Sequence, residues 1–416
     1  MGKSVFVYID LEGHAHHVGH LWIHIRGRRE SATFEYARSW MQSPSCFALE
    51  PALSVKEEPY HTGIGLSIFG TIGDSAPDRW GRILMRRFAR RTDKAEGRTP
   101  RTLREIDYLL GVNDETRMGA LRFSLSEGGP FLAKSTRNSI PPLVDLPRLL
   151  AASDKLLQEE ETSEDLRLLL APGSSLGGAQ PKASVQKDSQ LFIAKFPNNV
   201  DDHNRIVWEA IALDLAERSG IRVPERSLRS INGRDILILK RFDRKGKVRI
   251  PFLSGMSMIS AKDNEVHSYL ELADKIRSHG AFPKKDMHEL WKRIVVTVLI
   301  SNIDDHMRNH GFLYYGREGW ILSPAYDLNP TPTDLAPRIL SSAIDIDDQT
   351  ASIELAFEVA DYFDVSPARA KDYVRVIAAA IAEWRSVAQS YGLSTSEIER
   401  MSSAFEHEDL KKVLRL

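Results

Sequence analysis

Residues 301–312 read SNIDDHMRNHGF, and residues 323–329 read SPAYDLN. Within these two segments Asn309 follows Asp304 by five residues, and Asp327 follows Asn309 by eighteen. Phosphotransferase loops have this layout: an Asp accepts the proton of an attacking hydroxyl, and a later Asn and Asp hold a metal. Oxygen-rich side chains suit the hard Mg²⁺ ion. The two segments therefore predict a phosphoryl-transfer site, although a polar run rich in Asp, Asn and Gly can also be an ordinary turn.

The surroundings of this stretch favour a site over a turn. The apolar run at 294–300 predicts a buried helix that delivers the polar residues, and residues 312–315 predict a strand that leaves them. From residue 265 onward the pattern is otherwise helical. Helices are expected at 266–278, 284–302, 351–363, 367–391 and 394–414.

The composition is that of an ordinary globular protein. The chain has 416 residues, of which 42% are apolar and 27% charged, and this length predicts two or three domains. A net charge of −1 excludes a global basic field that would attract nucleic acid or anionic membranes. The single cysteine, Cys46, excludes an internal disulfide and a cysteine-based zinc site, and it favours the reducing cytoplasm. No run approaches the ~18 apolar residues of a membrane span, so no membrane partner is expected.

The first third of the chain predicts a small domain of mixed structure. Strands are expected at 4–9 and 20–25, and a helix is expected at 79–91. Arginines cluster between 82 and 104. A solvated helix face would explain them, and so would a docking surface for an acidic partner or DNA phosphates. Gly, Pro and Ser collected at 126–147 predict a boundary with the next domain.

Residues 172–185 read PGSSLGGAQPKASV. Small residues let backbone amides approach phosphate oxygens closely, although a hairpin turn explains the run equally well. The strand expected at 191–197 carries Lys195 among apolar neighbours, which is costly unless the amine meets an anion such as a nucleotide phosphate. An edge lysine that reaches solvent is the alternative. Glu209, on a helix expected at 205–220, could pair with Lys195 or lie at the surface.

The order of these elements predicts a protein-kinase-like fold. Strands with one helix precede a mainly helical part that contains the polar stretch, as in a two-lobed kinase with ATP between its lobes. An acidic helix is expected at 148–170 and a buried strand at 235–239. The chain leaves this strand at Lys240 and Phe242, where a kinase-like fold changes lobes and receives adenine with backbone groups. The predicted fold class is α+β, with a smaller α/β N-terminal domain at 1–145, an N-terminal kinase lobe at 146–244 and a helical C-terminal lobe at 245–416.

Several motifs together resemble one family, the HipA-type serine/threonine kinases, which are toxin components of bacterial toxin–antitoxin pairs. The resemblance extends over about residues 5–390 of the chain. Most single motifs are short, and their combination is what makes the resemblance specific. The matching stretches are DSAPDRWGR at 74–82, RMGAL at 117–121, SLGGAQPK at 175–182, FIAK at 192–195, KRFDR at 240–244, DDHMRN at 304–309 and YDL at 326–328.

The resemblance implies roles for individual residues. It implies Asp304 as the catalytic base, with His306 beside the phosphates, and it implies that Asn309 and Asp327 hold Mg²⁺. It implies binding of ATP by the loop residues Gly177, Gly178, Ala179, Gln180 and Lys182, by Lys195, and by the backbone around Lys240 and Phe242. Ser175, or the adjacent Ser174, matches the position at which such kinases autophosphorylate. A phosphate there adds about −1.5 to −2 charge, and in the family it switches the kinase off.

The chain departs from the family pattern at two positions. Pro181 replaces an acidic residue often found in the Gly-rich loop, and Asp305 replaces a small residue in the catalytic loop. The first departure bears on the mobility of the loop. The second is expected to alter access of the substrate.

The resemblance also implies partners. A helix-turn-helix antitoxin of HipB type holds family members, and the complex represses its own operon, so contact with operator DNA is expected mainly through the antitoxin. Known targets are aminoacyl-tRNA synthetases, above all glutamyl-tRNA synthetase, whose phosphorylation stops translation and leads to dormancy and persistence. Two alternatives stay open. One is a small-molecule kinase of the aminoglycoside type, and the other is a non-catalytic corepressor that binds antitoxin and DNA through residues 82–104.

Overall fold

The computed structural model describes residues 3–27, 29–132, 140–170, 178, 180–198, 203–262 and 265–416. The chain forms two compact units. The first comprises residues 1–200 and 229–253, and the second comprises residues 201–228 and 254–416. The domain boundaries expected near residues 145 and 244 stay predictions.

The first unit begins with an antiparallel sheet, one face of which lies on a hydrophobic core. Val5, Val7 and Ile9 are buried, and strand geometry places them together on one face. Trp40 and Leu109 from nearby helices belong to the same core. The elements are β1 (Lys3–Leu11), β2 (His14–Arg26), β3 (Arg29–Tyr36), α1 (Arg38–Met41), β4 (Tyr60–His61), α2 (Gly70–Asp74), α3 (Arg79–Ala95), α4 (Glu105–Gly111) and β5 (Leu121–Ser124). The sheet order is β4-β3-β2-β1-β5.

A four-stranded sheet lies mostly in the first unit. Its elements are α5 (Leu146–Leu157), α6 (Ser163–Leu170), β6 (Lys182–Lys187), β7 (Gln190–Lys195), β8 (Arg226–Ile231) and β9 (Arg234–Lys240), with the strands in the order β6-β7-β9-β8. Leu84 of α3, Leu149 of α5 and Leu169 of α6 share a core with Val185 and Ile236 of the sheet. Three short strands follow: β10 (Arg244–Lys245), β11 (Val248–Arg249) and β12 (Phe252–Ser254).

The second unit is mainly helical. Trp208 of its first helix packs against the rings of Trp384 and Phe405, with centroid distances of 6.2 and 6.0 Å. Nowhere in the described residues is there a helix that combines the length and apolarity needed to cross a bilayer. The elements are α7 (Arg205–Arg218), α8 (Gly255–Met258), α9 (Tyr269–His279), α10 (Pro283–Leu299), β13 (Gly311–Tyr314), β14 (Trp320–Leu322), α11 (Ile353–Glu358), α12 (Pro367–Ala382), α13 (Trp384–Ser390), α14 (Thr395–Arg400), α15 (Ser402–Phe405) and α16 (Glu408–Val413).

Several expected helices are divided in the structure. The helix expected at 148–170 is wrong as one element, because Glu159 has a left-handed backbone with φ of 62°. A new helix then starts, where the Thr162 and Asp165 side chains accept each other's backbone N–H groups at 3.1 and 2.9 Å. The helix expected at 394–414 starts with a capping box formed by Ser394 and Glu397. It is divided into three short helices, α14, α15 and α16. The helices expected at 351–363 and 367–391 are likewise split into shorter pieces.

Candidate active site

The predicted catalytic residues lie on a loop between α10 and β13. Ile294 and Leu299 near the end of α10 are buried, and this burial fixes where the loop starts. Ser301 then adopts a left-handed backbone with φ of 52°, which ends the helical path. The hydroxyl of Ser301 donates to the carbonyl oxygen of Ala404 at 2.8 Å. The start of the loop is therefore anchored from both the preceding helix and the C-terminal helices.

Hydrogen bonds close the loop on itself. The side-chain Nδ2 of Asn309 donates to the carbonyl oxygen of Asp304 at 3.0 Å, and the Asn309 backbone N–H donates to the His306 carbonyl at 2.8 Å. The amide nitrogen of Asn309 is thus occupied, and its carbonyl oxygen is the group suited to a metal. His306 is half-buried, and within the described part of the chain its Nδ1 has no hydrogen-bond partner. The loop brings Asp304, His306 and Asn309 into one turn, with Asp304 exposed.

The segment that contains Asp327 is tied to the same loop. Tyr326 donates its hydroxyl to the carbonyl oxygen of Arg308 at 2.8 Å, and the Asn329 N–H donates to Oδ1 of Asn302 at 3.0 Å. Asp327 lies between these anchors in a left-handed conformation with φ of 56°. Such a conformation carries strain of about 1–3 kcal/mol, which persists only where the surroundings enforce it. Further N–H to carbonyl bonds join Ser323 to Gly311, Thr331 to Ser301 and Ser341 to Ile303.

The oxygen donors of this region fit magnesium. Asn309 offers an amide oxygen and Asp327 a carboxylate, both of which are hard ligands. No group of three or more His, Cys, Asp or Glu side chains is gathered as a metal site in the parts of the chain that the structure describes. Mg²⁺ commonly takes one or two protein carboxylates and completes its shell with water and substrate phosphates, whereas zinc needs three or four protein ligands. The donor set therefore suits Mg²⁺ held together with a nucleotide.

Asp305 does not line a path for the substrate, so the expectation that it alters substrate access is wrong. Its side chain is 3% exposed and points into the core. Oδ2 accepts hydrogen bonds from the Tyr269 hydroxyl at 2.7 Å and from Thr297 Oγ1 at 3.2 Å, and Oδ1 lies 3.3 Å from Nε2 of His310. Burial alone would raise the pKa of the Asp305 carboxyl, but His310 and the hydrogen bond from Tyr269 outweigh it and hold the pKa below its usual value.

The residues predicted to bind ATP belong to the first unit. Four residues of the predicted sites fall outside the described residues, namely Ser174, Ser175, Gly177 and Ala179. Gly178 is exposed and has φ of 82°, a conformation that glycine adopts without steric cost. Gln180 donates its side-chain Nε2 to the carbonyl oxygen of Phe196 at 2.6 Å. The exit of the Gly-rich loop is thereby joined to the end of β7.

Lys182 makes a buried ion pair. Its side chain is 1% exposed, and Nζ lies 3.1 Å from Oδ2 of Asp78. Asp78 also caps the N-terminus of α3 by accepting the Gly81 N–H at 2.8 Å. Trp80 donates its indole N–H to the carbonyl oxygen of Lys182 at 3.0 Å. The first residues of α3 therefore hold the end of the Gly-rich loop, and contact between Lys182 and a nucleotide stays a prediction.

Lys195 lies directly opposite Lys182 in the register of β6 and β7. Opposite residues of an antiparallel pair project from the same face, and Lys195 is 5% exposed. Because β7 is an interior strand between β6 and β9, the alternative of an edge lysine that reaches solvent is wrong. Glu209 of α7 is also buried, which excludes the surface alternative for that carboxylate. Pairing between Lys195 and Glu209 stays a prediction.

The segment 240–244 is held by charges that face inward. Arg241 and Arg244 both contact Oδ2 of Asp243 at 2.6 Å, and the Gly119 N–H donates to the same oxygen at 2.8 Å. Both arginines also donate to the carbonyl oxygen of Arg117. Burial alone would raise the pKa of Asp243, but the two guanidinium groups outweigh it and lower the pKa to about 2. The 117–121 and 240–244 motifs thus hold each other in place.

Lys240 and Phe242 are fixed by this arrangement. Lys240 ends β9 opposite Phe192, and the ring of Phe242 packs against Phe252 with centroids 6.3 Å apart. Sequence reasoning assigned the segment to adenine binding and missed the ion-pair cluster. A signal was present, because three charges in four residues follow a buried strand directly. Contact of Lys240 and Phe242 with adenine stays a prediction.

Several arginines of the cluster between 82 and 104 form ion pairs with carboxylates of the first unit. Arg82 binds Glu105 through two hydrogen bonds of 2.6 and 2.7 Å. Arg87 and Arg91 share the carboxylate of Glu161, at 3.0 and 3.2 Å. These three arginines pair within the first unit and keep 31–41% of their side-chain surface exposed, so the solvated face and the docking surface both stay predictions for the cluster.

Comparison with known proteins adds the family. A family model described as "HipA-like C-terminal domain" matches residues 174–401, more than half of the chain. A protein of Sinorhizobium fredii named "Putative kinase Y4mE" is 24% identical, with 74% of each chain covered. A protein of Haemophilus influenzae named "Putative kinase" is 30% identical, with 37% of this chain and 52% of that protein covered.

A solved structure shows the same fold. It is described as "Shewanella oneidensis MR-1 Toxin Antitoxin System HipA, HipB and its operator DNA complex", and its matching chain has a TM-score of 0.66 at 15% identity. The match covers 98% of this chain and 97% of that chain. The predicted α+β, two-lobed kinase-like fold with a mainly helical C-terminal lobe is confirmed. The motifs, the fold and the family model agree, and the chain belongs to the HipA-like family.

Proposed function

We propose that this chain is a protein kinase that transfers the γ-phosphoryl group of ATP, in the presence of Mg²⁺, to a serine or threonine hydroxyl. The observation that carries the proposal is the closed turn at 304–309, which exposes Asp304, places Asn309 against its backbone and is bonded to the segment of Asp327. Phosphoryl transfer depends on positioned charges and oxygens more than on covalent help from the protein. The names of the relatives from Sinorhizobium fredii and Haemophilus influenzae support the same class of reaction.

In the proposed reaction Asp304 accepts the proton of the attacking hydroxyl. Its exposure leaves room for the side chain of another protein to approach, and the hydrogen bond from Asn309 to its carbonyl keeps it in place. Asn309 and Asp327 would hold Mg²⁺, which when bound neutralises charge on the phosphates. His306 would lie beside the phosphates, and its Nδ1 has no partner within the described residues.

The first unit would bind the nucleotide. The loop from Gly177 to Lys182 would cover the phosphates, and the left-handed backbone at Gly178 supports this role because it lets amides approach an anion. Lys195 would supply a cation that is fixed on an interior strand. The backbone at Lys240 and Phe242 would receive adenine. Ser175, or the adjacent Ser174, would be autophosphorylated before this loop.

The proposal includes partners of the HipA type. The Shewanella oneidensis structure contains HipA, HipB and operator DNA, which supports a HipB-like antitoxin and operator DNA as partners of this chain too. An aminoacyl-tRNA synthetase such as glutamyl-tRNA synthetase would be the protein substrate. Its phosphorylation would stop translation and cause dormancy. This last step rests on the family resemblance alone.

Mass spectrometry of the purified chain with ATP and Mg²⁺ tests the proposal. We expect a mass gain of one phosphate, located on the peptide that spans residues 172–182. Asp304→Asn keeps the size of the side chain and removes the proton acceptor, so transfer should fall by about 10²–10⁴-fold. Because Asp304 is exposed, the melting temperature should not change.

Other outcomes would point elsewhere. Wild-type-like transfer by Asp304→Asn would overturn the assignment of the base. No phosphate on the wild-type chain, even when glutamyl-tRNA synthetase is offered as the acceptor, would overturn the protein-kinase proposal. If small hydroxylated molecules were then phosphorylated, the alternative of a small-molecule kinase would replace it. Nucleotide binding without any transfer would favour the non-catalytic corepressor.

A further inference from the structure

The proposed reaction uses only one of two adjacent aspartates. Asp304 is exposed, whereas the next residue, Asp305, is buried. Burial of a carboxylate is costly unless hydrogen bonds and nearby charges compensate for the lost water. The two side chains therefore serve different purposes, although they follow each other in the chain.

The Asp305 carboxylate is held from three elements of the second unit. Tyr269 is the first residue of α9, Thr297 lies near the end of α10, and His310 directly precedes β13. All three side chains are buried, and each has an atom within 3.3 Å of a carboxylate oxygen of Asp305. The carboxylate thus joins the catalytic loop to the two helices behind it.

The direction of the strongest contact is fixed. Burial and the charge of Asp305 raise the pKa of Tyr269 well above its ordinary value, so the hydroxyl keeps its proton and donates. The backbone of Asp305 is held as well, because the Ser342 hydroxyl donates to its carbonyl oxygen at 2.6 Å. Side chain and main chain of one loop residue are therefore both anchored, directly beside the exposed Asp304.

We propose that Asp305 is a positioning residue for phosphoryl transfer: its buried carboxylate, held by Tyr269 and Thr297, fixes the loop so that Asp304 keeps one orientation toward the acceptor hydroxyl. The inference rests on the proposed kinase function and adds residues that this function does not name. Catalysis by positioning is sensitive, because a displacement of about 1 Å can reduce a rate by ~10²-fold. Asp305 itself does not touch the substrate.

Two substitutions test this role with little change of shape. Tyr269→Phe removes one oxygen atom and keeps the ring, and we expect the rate of transfer from Mg·ATP to the chain to fall by about tenfold or more. The affinity for ADP, measured by calorimetry, should stay within about twofold, because no nucleotide contact is lost. The loss therefore belongs to the rate constant and not to KM for ATP.

Thr297 offers a pair of variants that separates positioning from packing. Thr297→Val keeps the branched shape and removes the hydroxyl, whereas Thr297→Ser keeps the hydroxyl and removes a methyl group. A positioning role predicts that the valine variant is slower than the serine variant. A packing role predicts the reverse order. This pair also serves if Tyr269→Phe does not fold.

Tyr373→Phe is the matched control. The Tyr373 hydroxyl lies 3.0 Å from Nδ1 of His288 in the same unit, so its loss removes a part-buried hydrogen bond away from the loop. We expect a smaller drop in melting temperature than that of Tyr269→Phe, with the rate unchanged. Equal rates for wild type, Tyr269→Phe and Thr297→Val, or an equal loss in Tyr373→Phe, would overturn the inference.

The results that would contradict the inference differ from those that would contradict the proposed function. If Asp304→Asn loses transfer while Tyr269→Phe and Thr297→Val keep the wild-type rate, the kinase assignment stands and the inference falls. If the wild-type chain transfers no phosphate to any acceptor, the proposed function falls, and the inference falls with it.

Discussion

Two charged segments follow buried elements in this chain, and an aspartate is buried in one and exposed in the other. At 240–244, directly after β9, Asp243 is buried between Arg241 and Arg244 at 2.6 Å from each. At 301–312, directly after α10, Asp304 is exposed and its loop is held by hydrogen bonds to the backbone. The first segment uses its charges to hold the fold. The second is held by hydrogen bonds, including those to the buried Asp305 carboxylate, and leaves the Asp304 side chain exposed.

The comparison shows that an aspartate in a motif can serve either the stability of the fold or the reaction. A buried carboxylate that contacts two guanidinium groups lowers the cost of burying all three charges, and its loss leaves the arginines uncompensated. An exposed carboxylate contributes little to stability, and its loss should affect only the reaction. The fold and the reaction should therefore respond to different substitutions.

The largest effect is expected at Asp243. Asp243→Ala leaves the buried Arg241 and Arg244 without their carboxylate, and the free energy of unfolding should fall by about 3–5 kcal/mol. Urea denaturation followed by circular dichroism measures it. As a control, Glu105→Gln breaks the half-exposed pair with Arg82, which should cost no more than about 1 kcal/mol. If the free energy of unfolding fell equally in the two variants, the expectation that the buried charges matter more for stability would be contradicted.

A somewhat smaller effect, on the reaction alone, is expected at Asp327. Asp327→Asn keeps a side chain that tolerates the left-handed backbone, so the fold should be unchanged. Transfer should fall by about 10²–10³-fold, or roughly 3–4 kcal/mol of barrier, because the carboxylate proposed to hold Mg²⁺ is lost. Rates measured over a series of Mg²⁺ concentrations should show a raised requirement for the metal. A wild-type rate at low Mg²⁺ would remove Asp327 from the site.

The smallest effect is expected on the free energy of unfolding at low pH. The pKa of Asp243 is lowered from 3.8 to about 2 in the folded chain. The ionised Asp243 carboxylate therefore contributes its full stabilisation, about 2 kcal/mol, above about pH 4. This contribution to the free energy of unfolding is lost as the pH falls through about 2. Urea denaturation of wild type and Asp243→Asn at several pH values between 6 and 2 measures the difference, which should shrink toward low pH. A difference that grows in acid would contradict the sign of the shift.

The catalytic loop could be proposed from the sequence because the residues that define it are close together in the chain. Asp304 and Asn309 are five residues apart, and the hydrogen bond that joins them closes a turn that short-range spacing can encode. The two-lobed fold was also predictable, since strands and helices are segregated along the chain.

The long-range contacts of charged side chains could not be predicted. Lys182 and Asp78 are 104 positions apart, and Arg241 binds the carbonyl oxygen of Thr116 across 125 positions. No local pattern relates such residues. Asp305 is the sharpest case, because it has the same residue type as its neighbour and its burial depends on residues distant in sequence, such as Tyr269, which lies 36 positions earlier. Sequence reasoning therefore placed it near the substrate, and the structure places it in the core.

The bond from Ser301 to Ala404 has a consequence for the newly made chain. The two residues are 103 positions apart, so the ribosome completes Asp304 and its loop long before it makes the residue that anchors the loop's first turn. At about 5–20 residues per second, this interval lasts roughly 5–20 seconds. During that interval the loop lacks its C-terminal anchor. The loop is therefore fully anchored only after those 103 further residues have been made.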